Sequence, residues 1–326
     1  MRTKLFAGVF LALCAGGIAP VAANNIQVSN TTLTGNTGSE VMVQFDISWE
    51  NSWRGGGVAN WDAAWVFVKF KYSNGLWKHV QLATTGHVPA GGSLIDMGLL
   101  TPGAAADPVI NPTIGVFIRR DADGTGTFSA TGVQLKWDYA AQGILAYNDI
   151  AEVRVFAVEM VYVNQGAFFL GSGGDEPAHF NVSGPIDAPV LVSSENAITM
   201  SSTGFNLWAD DFIEAGTLPA TFPKGYAASY AMKYEMSQAQ YTDFLNTLTR
   251  TQQEALIGSL PSGTWNFFYV MSGQAIDADY RNTIFPRPSA PAFQKVRYNF
   301  PAAAAVPWLL AWFRLTAYLD GPDYDR

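Results

Sequence analysis

Val41-Met42-Val43-Gln44-Phe45-Asp46-Ile47-Ser48-Trp49 is the stretch that decides the fold class. Val41, Val43, Phe45, Ile47 and Trp49 fall at every second position, and Met42, Gln44, Asp46 and Ser48 fill the places between. A two-residue period puts each set on its own face of an extended chain, which predicts a strand with one side in a core and the other facing out. Residues 64–72 (AWVFVKFKY) read as a second strand, dense in β-branched and aromatic side chains. Ser73-Asn74-Gly75 supplies a hairpin turn before a strand at 77–82. Residues 114–119, 132–139 and 153–161 read as further strands. Short strands divided by turn clusters predict a β-sandwich over residues 24–158.

The composition agrees with this reading. Of 326 residues, 48% are hydrophobic and 14% charged, enough for a sizeable core and too apolar for global disorder. Ten Trp, 13 Tyr and 21 Phe, with 31 Gly and 17 Pro, favour strands and turns over a helical bundle. The net charge of −8, without Lys/Arg clusters, argues against nucleic acid as a partner and against docking on anionic membranes.

The N-terminus predicts export. Arg2 and Lys4 form a basic start, an apolar run follows from residue 5 to 13, and Val21-Ala22-Ala23 places small residues before a cut at Asn24. Residues 1–23 therefore read as a signal peptide, too short and too rich in Gly and Pro for a membrane span, and the mature chain is expected outside the cytoplasm. Cys14, the one cysteine, lies in this segment; Leu13 stands where a lipidation motif wants a small residue. The mature chain then has no disulfide and no cysteine nucleophile.

Beyond residue 159 the pattern changes. Residues 162–174 read as a glycine-punctuated strand, with short strands at 179–182, 189–194, 197–200 and 230–234. Ser237-Gln238-Ala239-Gln240 is a capping box, and Tyr241, Phe244, Leu245 and Leu248 share one helical face behind it. Thr251-Gln252-Gln253-Glu254 repeats the cap pattern before a short second helix. Residues 307–319 predict an apolar helix that needs burial on most sides.

Residues 230–246 (YAMKYEMSQAQYTDFLN) thus run a strand into Glu235-Met236-Ser237 and then a helix of the form Gln-Tyr-x-x-Phe-Leu-Asn. Upstream, Gly166-x-Phe168-x-Leu170-Gly171 precedes Glu176-Pro177, and Phe222-Pro223-Lys224-Gly225-Tyr226 leads into the strand. These motifs resemble the formylglycine-generating enzyme, or sulfatase-modifying factor, family, and in particular a secreted bacterial branch with an N-terminal β domain. The resemblance covers residues 159–250 and is patchy beyond. It implies a mainly β fold with α+β character: an N-terminal β-sandwich followed by a C-type-lectin-like domain at 159–326.

Active members of that family convert a substrate cysteine to formylglycine with a cysteine pair and copper, and related branches bind iron through histidines. This chain departs from both patterns. It has no cysteine after Cys14, and its three histidines are His79, His87 and His179. Ala317-Tyr318-Leu319-Asp320 resembles the family's approach to its final motif. Gly321-Pro322-Asp323-Tyr324-Asp325-Arg326 is what a one-base shift in reading would give from that motif. The lectin-like domain is therefore expected to be incomplete, with apolar surface around Trp308, Trp312 and Phe313 available for self-association.

The remaining candidates are local. Asp121 and Asp123, with Gly124 and Gly126, read as part of a calcium loop or as a hairpin turn; the turn is preferred because later ligands of such a loop are missing. Asp210 and Asp211, near Glu214, are a second calcium candidate against a solvated loop. Calcium is the one cofactor these residues suggest. Asp277, Asp279 and Arg281 read as a surface ion-pair group, and Glu235 as an acceptor beside the helix start. Trp49, Trp53, Trp61, Trp65 and Trp77 read as core or as a sugar-stacking platform. The functional expectation is a secreted, non-catalytic relative of the family. The alternatives are a module binding an extracellular glycan or protein, and a metal-dependent oxidase if a full-length form exists.

Overall fold

The computed structural model describes residues 25–56, 59–99, 113–173, 179–184, 188–209, 215–249, 251–253, 285–287 and 297–299. The chain is mainly β, built from antiparallel sheets in a sandwich-like arrangement.

The first layer is β1 (Gln27–Thr34), β2 (Glu40–Gly55) and β7 (Gly124–Asp138), with β2 in the middle. The second is β5 (Ser93–Leu99), β6 (Thr113–Arg120), β3 (Asn60–Tyr72) and β8 (Ile150–Val163), in that spatial order. β4 (Trp77–His79) also pairs with β3, and β15 (Ser229–Met232) pairs with the far end of β8. The layers are joined where β2 meets β3 at Arg54 opposite Trp61 and Gly55 opposite Asn60, so nine strands form one bonded sheet folded over on itself.

The core lies between the layers and follows the period of two. Val41, Val43, Phe45, Ile47 and Trp49 of β2 point inward, as do Val133, Leu135 and Trp137 of β7 and Ala64, Val66, Val68 and Phe70 of β3. The predicted β2–β4 region is reproduced, including the turn after β3, where Gly75 takes φ +91° and Asn74 Oδ1 accepts from the Leu76 amide. β2 and β7 extend well past their predicted ends, because each long strand bends through register shifts.

The expected boundary between residues 158 and 159 falls inside β8. The strand continues to Val163, and β15 joins the same sheet. The stretch predicted as one strand over 162–174 divides: β8 ends, and β9 (Phe168–Leu170) pairs instead with β11 (Val190–Val192). β10 (Asn181–Val182), β13 (Leu207–Trp208), β12 (Ile198–Met200) and β14 (Gly216–Leu218) form a small four-stranded sheet. α1 (Gln238–Leu245) follows β15. Gln240 N–H donates to Ser237 Oγ, and the Ser237 amide donates to Gln240 Oε1, so the predicted capping box is formed. The second cap lies two residues earlier than expected: Thr249 N–H donates to Gln252 Oε1, and the Gln252 amide donates to Thr249 Oγ1. β16 (Phe285–Arg287) pairs with β17 (Arg297–Asn299).

α1 covers the outer face of the second layer. Phe244 meets Phe67 and Phe156 edge-on, at centroid distances of 6.3 and 6.5 Å. β3 is therefore buried on both faces near this end, which is why its sequence is almost continuously apolar.

Candidate functional site

Because Ala64, Val66 and Val68 face the core, Ala63, Trp65 and Phe67 face outward from β3. Their cross-strand neighbours share that face: Phe117 and Arg119 on β6, Val158 and Met160 on β8. Five rings gather here. Trp61 stacks on Tyr162 at 4.3 Å, Tyr162 meets Tyr230 edge-on at 5.3 Å, Tyr230 stacks on Phe117 at 3.9 Å, and Phe117 tilts against Trp65 at 4.8 Å. Trp61 Nε1 donates to the Tyr230 hydroxyl at 3.0 Å. Burial pushes the Tyr230 phenol up from its ordinary pKa.

Two glycines decide how Trp65 lies. Gly98 on β5 and Gly115 on β6 are directly paired. A Cβ on Gly115 would sit 2.7 Å from Trp65 Cζ2, and one on Gly98 would overlap Cζ3 and Cη2. The indole thus lies down across β6 toward β5, its six-membered ring filling space that side chains would otherwise occupy. Beside it, Arg119 Nε donates to Asp96 Oδ2 at 2.6 Å, with the Asp96 side chain 45% exposed. The Arg119 guanidinium also sits 4.6 Å from the Trp61 ring. Trp61 is held between Tyr162 and Arg119, whereas Trp65 is a half-buried ring next to the part-exposed carboxylate of Asp96, whose partner Arg119 is largely buried.

Two sets of charged groups lie deeper. Asp62, fully buried, accepts from Trp49 Nε1 at 2.9 Å, Ser52 Oγ at 2.8 Å, the Trp53 amide at 3.0 Å and Lys233 Nζ at 3.0 Å. Lys233 also donates to the Asn51 carbonyl, lies 3.5 Å from Glu159 Oε2, and sits 4.7 Å from the Trp53 ring centroid. On the outer face, Lys69 is buried under α1 with its ammonium 5.4 Å from the Phe244 ring centroid. Burial pulls its pKa down to about 7. Its cross-strand neighbour His79 shares a 2.5 Å hydrogen bond between Nε2 and the Ile114 carbonyl oxygen. Burial, with help from the Lys69 charge, lowers its pKa to about 3.

The five tryptophans singled out in the sequence divide. Trp49 and Trp77 are core residues. Trp53 is pinned by Lys233 and donates to Asn60 Oδ1. Trp61 and Trp65 reach the outer face. Asp121 and Asp123 sit at the exposed turn between β6 and β7. There Arg54 Nη1 donates to the Asp121 carbonyl, and Arg54 Nε lies 3.6 Å from Asp123 Oδ1. A guanidinium thus supplies the positive charge those oxygens face. Asp210 and Asp211, the group at 277–281 and the apolar stretch at 307–319 lie outside the described residues. Glu235 is exposed rather than turned inward.

The three histidines do not converge. His79 bonds Ile114, His87 accepts from the Lys136 amide and contacts the Ala83 carbonyl, and His179 lies near Asn181. Among the described residues, no three His, Cys, Asp or Glu side chains are grouped to hold a metal, and no helix is long and apolar enough to cross a membrane. Sequence reading missed Asp96, Arg119, Phe117, Tyr162 and Tyr230 as members of one surface. The outward parity of 61, 63 and 65 was the available signal. No family model, curated protein or solved structure matches the chain.

Proposed function

We propose that this chain is a non-catalytic, extracytoplasmic recognition protein that takes a glycan on the outer face of its second sheet, with Trp65 as the stacking ring. The observation carrying this reading is the indole laid over Gly98 and Gly115 beside the Asp96–Arg119 pair. A sugar ring offers a C–H face to an aromatic plane and hydroxyls at its rim. Trp65 supplies the plane and Asp96 an acceptor, held in place by the largely buried Arg119. Tyr230, which accepts from Trp61 Nε1, adds a hydroxyl to the same surface. Descent from the formylglycine-generating enzyme family belongs to the same proposal. It is supported by residues 230–246, which form a strand, a capping box and a helix in the order their motif implies.

A glycan array probed with the mature chain, followed by calorimetry on a positive sugar, tests the proposal. Trp65→Ala is expected to weaken binding about tenfold or more while preserving the far-ultraviolet spectrum. A flat array, or undiminished binding by the variant, removes the glycan reading. Stoichiometric copper or iron in the purified protein, or oxidation of a cysteinyl peptide, would overturn its non-catalytic part.

A further inference from the structure

We propose that the free edge of β8 is a self-association surface on which a second copy of this chain adds its own β8, antiparallel, about a twofold axis through Val153. The inference does not depend on the glycan reading.

β8 is 14 residues long, but β15 pairs with it only from Met160 to Val163. Over 150–158, among the described residues, β3 is its sole ladder partner. Among the described residues, no strand continues β15's cover along the rest of that edge. Burial along β8 shows the same thing. β2 alternates strictly between half-buried and buried from Glu40 to Trp49, whereas residues 152–158 are all half-buried whichever face they point to. Val153, Val155 and Ala157 reach the core only partly, and so do Ile26, Val28 and Leu33 on and beside β1 across the seam. A cleft of about 370 Å³ follows this edge between β1 on the inner side and Gln240, Asp243 and Phe244 of α1 on the outer side, and one of about 180 Å³ continues it between β1 and residues 150–153.

Exposed edges are commonly blunted by proline, a bulge, shortness or repeated lysines. Residues 152–158 (EVRVFAV) have no proline and no glycine, carry one charge of each sign, and run without a register shift to Val161; the strand's one shift against β3 lies at Ala151, so the regular part of this edge starts at Glu152. The backbone direction is fixed as well. The Lys233 amide donates to the Glu159 carbonyl, so the odd-numbered residues aim their N–H and C=O groups at this edge. Among the described residues, Val153 and Val155 have no ladder partner on this edge, and a twofold axis at Val153 makes a reciprocal hydrogen-bonded pair.

Charge selects the register. In a symmetric antiparallel pair, residue i meets residue j and j meets i. Centring on Val153 sets Glu152 opposite Arg154 of the second copy, twice. Centring on Glu152 or on Arg154 sets like charges face to face, and centring on Val155 sets Arg154 against Phe156. Only the Val153 register pairs both charges with opposite sign, and the new pairs extend an existing group of Lys71, Glu152 and Arg154.

Sedimentation equilibrium on the mature chain is expected to show a reversible dimer. Glu152→Arg and Arg154→Glu should each weaken it about tenfold or more, and the double exchange should restore it. Val155→Pro, which removes an N–H aimed at the edge and spares the ladder to β3, should give a folded monomer. Melting curves confirm that each variant is folded. A monomeric parent chain, a dimer indifferent to both charge reversals, or association that survives Val155→Pro would each overturn the proposal.

Discussion

Lys233 Nζ lies 3.0 Å from Asp62 Oδ2, fastening the residue after β15 to the start of β3 across 171 positions of sequence. Asp62 is wholly enclosed and is satisfied by four donors, three of them from the β2 end of the first layer. The pair therefore joins both layers and the later segment at one point. Asp62→Ala is expected to lose about 3–5 kcal/mol in urea unfolding, because it strands three neutral donors and leaves Lys233 only the more distant Glu159 carboxylate. Lys233→Met should cost less, since Asp62 keeps its other three partners. Equal losses, or a milder effect at Asp62, would show that the carboxylate is not the centre of the cluster.

Lys69 makes stability depend on pH in an unusual direction. Its pKa falls from 10.5 unfolded to about 7 folded, because burial disfavours its charge. Between those values the unfolded chain holds the extra proton, so the free energy of unfolding rises with pH across that window. Below pH 7 the lysine is charged in both states and the cost of enclosing that charge is fully present. Lys69→Met is expected to stabilise the protein below pH 7 by on the order of a few kcal/mol and to flatten the slope between pH 7 and 10.5. His79 adds a second window. With its pKa lowered from 6.5 to about 3, it makes stability fall as pH drops between those values. Urea midpoints measured across the whole range separate the two. A slope above pH 7 that persists in Lys69→Met would assign it to another group.

The fit of Trp65 over its glycine pair can be read as a coupling. Gly98→Ala places a methyl group inside the ring's volume and is expected to cost about 1–3 kcal/mol. In Trp65→Ala the same methyl is freed of the ring and keeps only a close approach of 2.9 Å to the Gly115 carbonyl oxygen. The double variant should then lose less than the sum of the two single losses in thermal melts. Strict additivity would mean that the indole does not rest on Gly98.

Strands with a clean period were legible in the sequence, and those whose partners lie far away were not. Val41 to Trp49 declared its faces outright. Residues 64–72 did so only through Lys69 and Lys71, because the start of the stretch is covered by the core on one side and packed with aromatic rings on the other. The outward parity of Trp61 and Trp65 was legible only by carrying that of the two lysines back along the strand. β1 (NTT in its middle) is an edge strand exposed over most of its length, with no alternation to find. The first helix was readable because its cap is a local chemical device. The second cap was read two residues late because Thr249 and Thr251 are both followed at the third position by a residue able to close the box. The aromatic surface draws on β3, β6, β8 and β15, and nothing local in the sequence announces that Phe117 and Tyr230 touch.

β8 passes without a break from the sandwich into the segment that carries the family-like motifs. The two halves are thus not interchangeable modules: a proteolytic nick or recombination joint at residue 158 would cut through the middle of a shared strand. Neither product would inherit a finished sheet, so inheritance of this architecture has to be all or nothing along that strand.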